Sequence, residues 1–263
     1  MTNYLCAAKA ELKFEIILYL QNMKVIATDI LVFSFLFISF VFFEAGADNL
    51  ATMYNVDAQY SRMLMSIGYL IWAFSTGVLS ISAEVSSEAS EGYLFSKLTG
   101  VLPISLLYLS KFIARIFLQL MATLPIIIFT VFYWGFPTLS VSYILLIMLF
   151  FMICLIGMHG IGLVLASFTL YNRRLSRLSV LISVMLLFTG NAITYNAQLG
   201  QLLRYFPLNF AVDSARRIVT NTEMRVLDSY IFTFVCLSLF GIGMLLFSYS
   251  KNMTRQKGKL LWY

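Results

Sequence analysis

Three carboxylates, Glu84, Glu88 and Glu91, are followed by the run Tyr93, Leu94, Phe95, Leu98 and Val101, with Lys97 inside it and Pro103 at its end. The chemistry these types and spacings support is binding. Glu88, Glu91 and Lys97 solvate one side of a short helix, and the apolar and aromatic residues are anchors of the kind that dominate protein interfaces. The plainer reading is an amphipathic connector packed against lipid headgroups, and the residues leave both open. His159, the only histidine, lies in GMHGIG deep in an apolar stretch. An ionisable group there is a functional-site candidate. Gly157, Gly160 and Gly162 permit close helix approach and favour instead a neutral ring bonded to a neighbouring helix. Asn191, with Thr189 and Ser183, carries the same pair of readings, pathway or helix packing. No Walker-type loop, GxSxG or HExxH occurs, so no catalytic residue is expected. Cys6, Cys154 and Cys236 are far apart with no CxxC, so neither a disulfide framework nor a metal site is expected.

The bulk numbers bound what can position these groups. Of 263 residues, 60% are hydrophobic and 11% charged, and the mean hydropathy is +0.87. Soluble domains carry about a quarter charged residues. The expectation is an all-α integral membrane protein, one transmembrane domain over 1–263. The net charge of +6 is read as a basic cytoplasmic face and not as nucleic-acid binding.

Residues 1–23 lack the continuous apolar core of a signal peptide. Leu5, Ala8, Leu12, Ile16, Tyr19 and Met23 recur at helical spacing, with Lys9, Glu11, Lys13 and Glu15 on another face, as in a helix lying in the membrane interface. Six spans follow, near 25–43, 63–83, 105–134, 141–170, 178–193 and 230–249. Asp29 sits where it can reach water or Lys24. The third span exceeds the ~20 residues of a perpendicular crossing, so Lys111 and Arg115 are expected to snorkel at its start. Pro125 is a candidate kink. The 194–229 interval is too apolar for a free loop, because Leu202, Leu203, Phe206, Leu208, Phe210, Val212, Ile218 and Val219 would face water. It is expected as one or two short re-entrant helices broken at Pro207, with any irregular backbone covered by protein or reaching water.

Six spans put both termini on one side. Thirteen of the eighteen Lys and Arg residues fall on that side, and only Arg62, Arg204, Arg216, Arg217 and Arg225 fall opposite. The positive-inside rule then puts both termini and residues 84–105 in the cytoplasm, and 194–229 outside.

This order of parts resembles the membrane subunits of type-2 ABC exporters. The resemblance rests on Glu88, Glu91, Gly92, Leu94 and Pro103-Ile104-Ser105. Phe206-Pro207-Leu208, with Asp213 and Arg216 or Arg217 after it, adds to it. Gly92-Tyr93 stands where the family has Gly-Thr, and the gap from Gly92 to Pro103 is about two residues longer than the family's. The resemblance implies a cytoplasmic coupling helix at 84–105, with Glu88, Glu91, Gly92, Tyr93, Leu94, Phe95, Lys97 and Leu98 as the ATPase dock. It implies two ATPase subunits holding ATP and Mg, a second permease subunit (identical or a paralogue), and a bacterial plasma membrane as the setting. The expected function is export of a hydrophobic or amphipathic small molecule or peptide, such as an antibiotic. Export of a lipid-linked glycan is the alternative within the same architecture. A membrane immunity or sensor protein that binds a toxic peptide without transport is the alternative outside it.

Overall fold

The computed structural model describes residues 2–42, 47–90, 94, 104–134, 140–193 and 197–256, and among these helix is the only regular secondary structure beyond turns. The order is α1 (Thr2–Gln21), α2 (Met23–Phe42), α3 (Ala47–Tyr54), α4 (Ala58–Leu79), α5 (Ile81–Ser90), α6 (Ile104–Trp134) and α7 (Val141–Thr169). A 3-10 turn (Arg173–Arg177), α8 (Leu178–Thr189), α9 (Ala197–Leu202), α10 (Pro207–Val219) and α11 (Val226–Gln256) complete it.

Among the described residues, five helical stretches are long and apolar enough to cross a bilayer: Met23–Val41, Ala58–Ala89, Leu107–Trp134, Val141–Thr169 and Val226–Thr254. The chain is a multi-pass membrane protein of the all-α class. Large apolar side chains such as Leu31, Phe35, Phe132, Leu145, Phe234 and Leu245 point outward, which a bundle surrounded by lipid tolerates and a water-exposed one does not.

The expected span at 178–193 is shorter. Its helix, α8, has 12 residues, about 18 Å at 1.5 Å per residue, against ~30 Å of hydrocarbon. It ends at Gly190, and Asn191 takes φ of 51°, a left-handed conformation that stops helix propagation and that Asn tolerates. Pro125 stands inside α6 without ending it. Pro207 opens α10 at its first turn, where its missing N–H costs nothing. The expected break at this proline therefore falls between α9 and α10.

The α4–α5 stretch is the centre, 72% buried, whereas α2 is the periphery at 11%. Around it pack α6, α7, α8, α10 and α3. Asp57 caps α4 by accepting the Tyr60 N–H at 2.8 Å. An aromatic group of Phe33, Phe37, Tyr69 and Trp72 joins α2 to α4. There the Tyr69 hydroxyl donates to the Phe33 carbonyl at 2.7 Å, and the Trp72 indole donates to the Ser183 carbonyl of α8 at 2.8 Å. The closest helix pair is α7 with α11. A Cβ on Gly160 would stand 2.6 Å from the backbone of Leu239 and Phe240, and one on Gly243 would strike the Gly160 backbone.

These contacts define two ends. At one, α1 and α5 meet the start of α6, the end of α7 and the end of α11, where Tyr108 meets Phe247. At the other, α3 and α10 meet the start of α4, and the Tyr60 hydroxyl donates to the Val219 carbonyl at 3.0 Å. Residues 84–90 and the helix α10 thus sit at opposite ends of the bundle.

Candidate functional site

Four-residue spacing puts Glu84 and Glu88 on one face of α5, and Lys111 and Arg115 on one face of α6. The two helices run antiparallel, so the pairs match as rungs: Glu88 with Lys111 and Glu84 with Arg115. Lys111 Nζ lies 3.6 Å from Glu84 Oε2 as well, and 2.6 Å from Glu15 Oε1 on α1. The Tyr108 hydroxyl donates to Glu88 Oε2 at 3.2 Å. Glu15, Glu84, Glu88, Lys111 and Arg115, from three helices, make one node, with Lys111 and Glu88 buried and the Glu11 carboxylate within 4.8 Å of those of Glu15 and Glu88. Charges survive such burial only when paired and hydrogen-bonded, as these are.

The node changes several expectations. Lys111 does not snorkel to the interface, because carboxylates on α5 and α1 enclose it. Glu88 does not solvate a helix face, since it is spent inside the bundle. On α1, Glu15 shares the inward face with Leu12, Ile16 and Tyr19, while Phe14, Ile17, Leu18 and Leu20 face outward, and Met23, which opens α2, is exposed. The acidic residues are therefore not on a separate water-facing side, and the helix lies along α6. Asp29 accepts the Tyr19 hydroxyl at 2.8 Å. Burial first, then this bond, push the Tyr19 phenol well above its ordinary range, so it stays protonated as the donor.

Of the expected dock, Leu94 is buried among Val85, Ala89, Tyr108, Leu170 and Phe247, an anchor for the bundle itself. Glu91, Gly92, Tyr93, Phe95, Lys97 and Leu98 lie outside the described residues.

His159 sits between two aromatic rings. It is buried, its ring 4.7 Å from that of Phe112 on α6 and 6.0 Å, stacked, from that of Phe240 on α11. Aromatic contact takes the place of the interhelical hydrogen bond that the sequence suggested. The glycines around it work as expected: Gly157 abuts Cys236 and Pro207, Gly160 abuts α11, and Gly162 abuts Ile81.

Asn191 is tied to α10 through its backbone carbonyl. Ending α8 early frees carbonyls within the apolar bundle, where unpartnered polar groups are costly. Arg216 of α10, fully buried, supplies the donors. Its guanidinium donates to the carbonyls of Asn191 at 2.7 Å, Ala192 at 2.8 Å and Leu64 at 3.0 Å. Gly68 leaves the room, since a Cβ there would collide with the Ala192 carbonyl and the guanidinium. Burial lowers the Arg216 pKa from its ordinary value, and an arginine has range enough to remain charged.

The next turn of α10 is tied outward. Asp213 accepts the Tyr54 hydroxyl of α3 at 2.7 Å and Arg217 Nε at 2.7 Å. Burial, and next the charge of Asp213, hold the Tyr54 phenol far above its usual range. The sequence singled out neither the node nor the Arg216 clamp. A signal for the first was present in the matching Glu-x-x-x-Glu and Lys-x-x-x-Arg spacings on helices joined by one short connection.

No protein-family model matches the chain, and no curated protein matches it.

Proposed function

We propose that the chain is the membrane-spanning permease subunit of an ATP-driven ABC exporter, set in a bacterial plasma membrane with both termini cytoplasmic. It works with two ATPase subunits, which hold ATP and Mg, and with a second permease subunit. Its cargo is a hydrophobic or amphipathic small molecule or peptide. The observation that carries this reading is the charge node at the base of the 84–105 segment. Glu84 and Glu88 join that segment to α6 through Lys111 and Arg115, and to α1 through Glu15. A push on residues 91–103 is then delivered to three helices as one body, which is the requirement for turning nucleotide-driven closure into a change in a membrane pathway. Termini on one side require a sixth crossing, for which the short α8 and the residues that follow it, 178–193, are the candidate.

The test is copurification from the native host in mild detergent. A stoichiometric nucleotide-binding subunit is expected with the wild-type chain, and Tyr93→Ala with Phe95→Ala should weaken its recovery while leaving membrane insertion intact. Recovery of the chain alone, under conditions that keep other membrane complexes whole, would overturn the exporter reading in favour of a non-transporting binder.

A further inference from the structure

The end of the bundle opposite the charge node contains a cavity of about 370 Å³ between α10, the start of α11, and residues of α9 and the turn after α8. It falls at the lower end of the ~300–1,000 Å³ range of small-ligand sites. The apolar stretch of α11 begins at Val226. Glu223, Met224 and Arg225, just before it, line the cavity, and so does Asp228 in its first turn. The cavity therefore lies at the level where hydrocarbon gives way to headgroups. Leu202, Val226, Leu227 and Tyr230, beside the lining residues in sequence, are largely exposed, an apolar margin suited to acyl chains.

The charges in the lining are three of each sign: Arg204, Arg217 and Arg225 against Asp213, Glu223 and Asp228. Four of them are closed on each other. Asp213 accepts from Arg217 and from the Tyr54 hydroxyl. Asp228 accepts from Arg204 and, at 2.9 Å, from the Tyr205 hydroxyl. That last bond, before any other influence, raises the Tyr205 phenol above its ordinary value, so it stays a donor. Glu223 and Arg225 remain. Both are exposed, and among the described residues neither enters an ion pair or a side-chain hydrogen bond. They are two residues apart, so their Cα atoms stand no more than about 7 Å from each other.

A simple anion or cation is attracted to one of these two and repelled by the other at this range. A ligand with both signs a short distance apart answers both. The guanidinium takes an anionic oxygen group through its fork of donors. The carboxylate takes a cation, and the lining sets its type. Quaternary ammonium is held over aromatic faces, and Phe210, itself buried, is the single aromatic ring among the lining residues. A primary ammonium instead donates hydrogen bonds, which Glu223 can accept. At headgroup depth, the compact zwitterion with a primary ammonium is phosphoethanolamine, whose two charged ends are joined by a two-carbon bridge.

We propose that this cavity holds a zwitterionic headgroup of the phosphoethanolamine type, its phosphate on Arg225 and its primary ammonium on Glu223. The inference does not rest on the exporter reading, because a chain with no ATPase partner would carry the same cavity.

The test titrates the purified full chain in mild detergent with dioleoylphosphatidylethanolamine or dioleoylphosphatidylcholine and counts bound lipid by native mass spectrometry. The ethanolamine lipid should bind at least about fivefold more tightly, since the choline lipid cannot donate to a carboxylate. Glu223→Gln should bring the ethanolamine lipid down to the choline level. Arg225→Gln should weaken both lipids several-fold, because they share the phosphate. Both side chains are exposed, so melting temperatures on the same samples should match wild type, and if one variant fails to fold the other decides. Equal binding of the two lipids, or an unchanged pattern in the folded variants, would overturn the proposal. So would dioleoylphosphatidylglycerol or free alanine binding more than about fivefold tighter than the ethanolamine lipid, since net charge or an amino acid would then be what is read. Competition with glycerophosphoethanolamine separates the sources: displacement at equal concentration supports a free headgroup compound as the ligand, and persistence of the bound lipid supports a phospholipid.

Discussion

Lys111→Met is the sharpest test of the charge node. Lys111 sits 2.6 Å from Glu15 and 3.6 Å from Glu84, and pairs with Glu88. At an effective dielectric of about 20, each unit-charge contact near 4 Å is worth about 4 kcal/mol before desolvation. Taking the ammonium and the carboxylates out of water offsets several kcal/mol per ion. The intact node therefore contributes little net stability. Removing only the cation is different, because the carboxylates of Glu15, Glu84 and Glu88, with Glu11 beside them, are then left at close quarters with one neutralising partner gone. Breaking a buried pair this way costs about 3–5 kcal/mol. Methionine fills the volume of the lysine stem, so the loss is electrostatic and not a cavity. The assay is reversible unfolding in mixed detergent micelles. It is run on wild type, Lys111→Met, Glu88→Leu and the double variant. The double variant should regain about 1–3 kcal/mol relative to the sum of the singles, as coupled neighbours do. A Lys111→Met protein within about 1 kcal/mol of wild type, or strict additivity of the two changes, would refute the node as an energetic unit.

Other outcomes follow from the packing. Gly160→Ala should lower stability by about 1–3 kcal/mol through overpacking, since its Cβ meets α11 backbone. Gly241→Ala, with nothing within 4 Å, should be neutral or slightly stabilising in the same thermal-unfolding series. Arg216→Met should cost roughly 2–6 kcal/mol, about 1–3 for each carbonyl of Asn191 and Ala192 left unpartnered. Arg216→Lys should fall between it and wild type, because an ammonium cannot span both carbonyls in the fixed fork of a guanidinium; equal losses for the two variants would count against the clamp. His159→Phe should stay within about 1.5 kcal/mol of wild type, while His159→Ala should lose about 3 kcal/mol by opening space between Phe112 and Phe240; the reverse order in detergent melting curves would assign the imidazole a role beyond packing.

Apolar run length and punctuation carried most of the helix positions. Pro207 located the start of α10, and the glycines around His159 announced close helix approach, because both signals are local and depend only on backbone geometry. The length of α8 was not legible. Residues 178–193 are apolar enough for a span, and what shortens the helix is a guanidinium 24 residues further along that satisfies the freed carbonyls. Snorkelling was the wrong expectation for Lys111 for the same reason: the rule concerns an isolated helix in lipid, whereas this lysine meets carboxylates from two others. Glu88 and Leu94 read as surface residues because neighbouring residues in sequence were polar, yet Glu88 on α5 pairs with α6, and Leu94, beyond α5, is buried beside residues of α6, α7 and α11.

The two-rung pairing of α5 with α6 also works as a ratchet stop. Sliding one helix along the other by a single turn, about 5.4 Å, would bring Glu84 opposite Lys111 and leave Glu88 and Arg115 each facing nothing of opposite sign. A single rung would permit that slip at little cost, because one cation can trade one carboxylate for the next. Two rungs at the same spacing do not, because a one-turn slip leaves one rung where there were two. Lengthwise creep of α5 along α6 therefore costs a rung, whereas tilt or rotation of the two helices as one piece costs none.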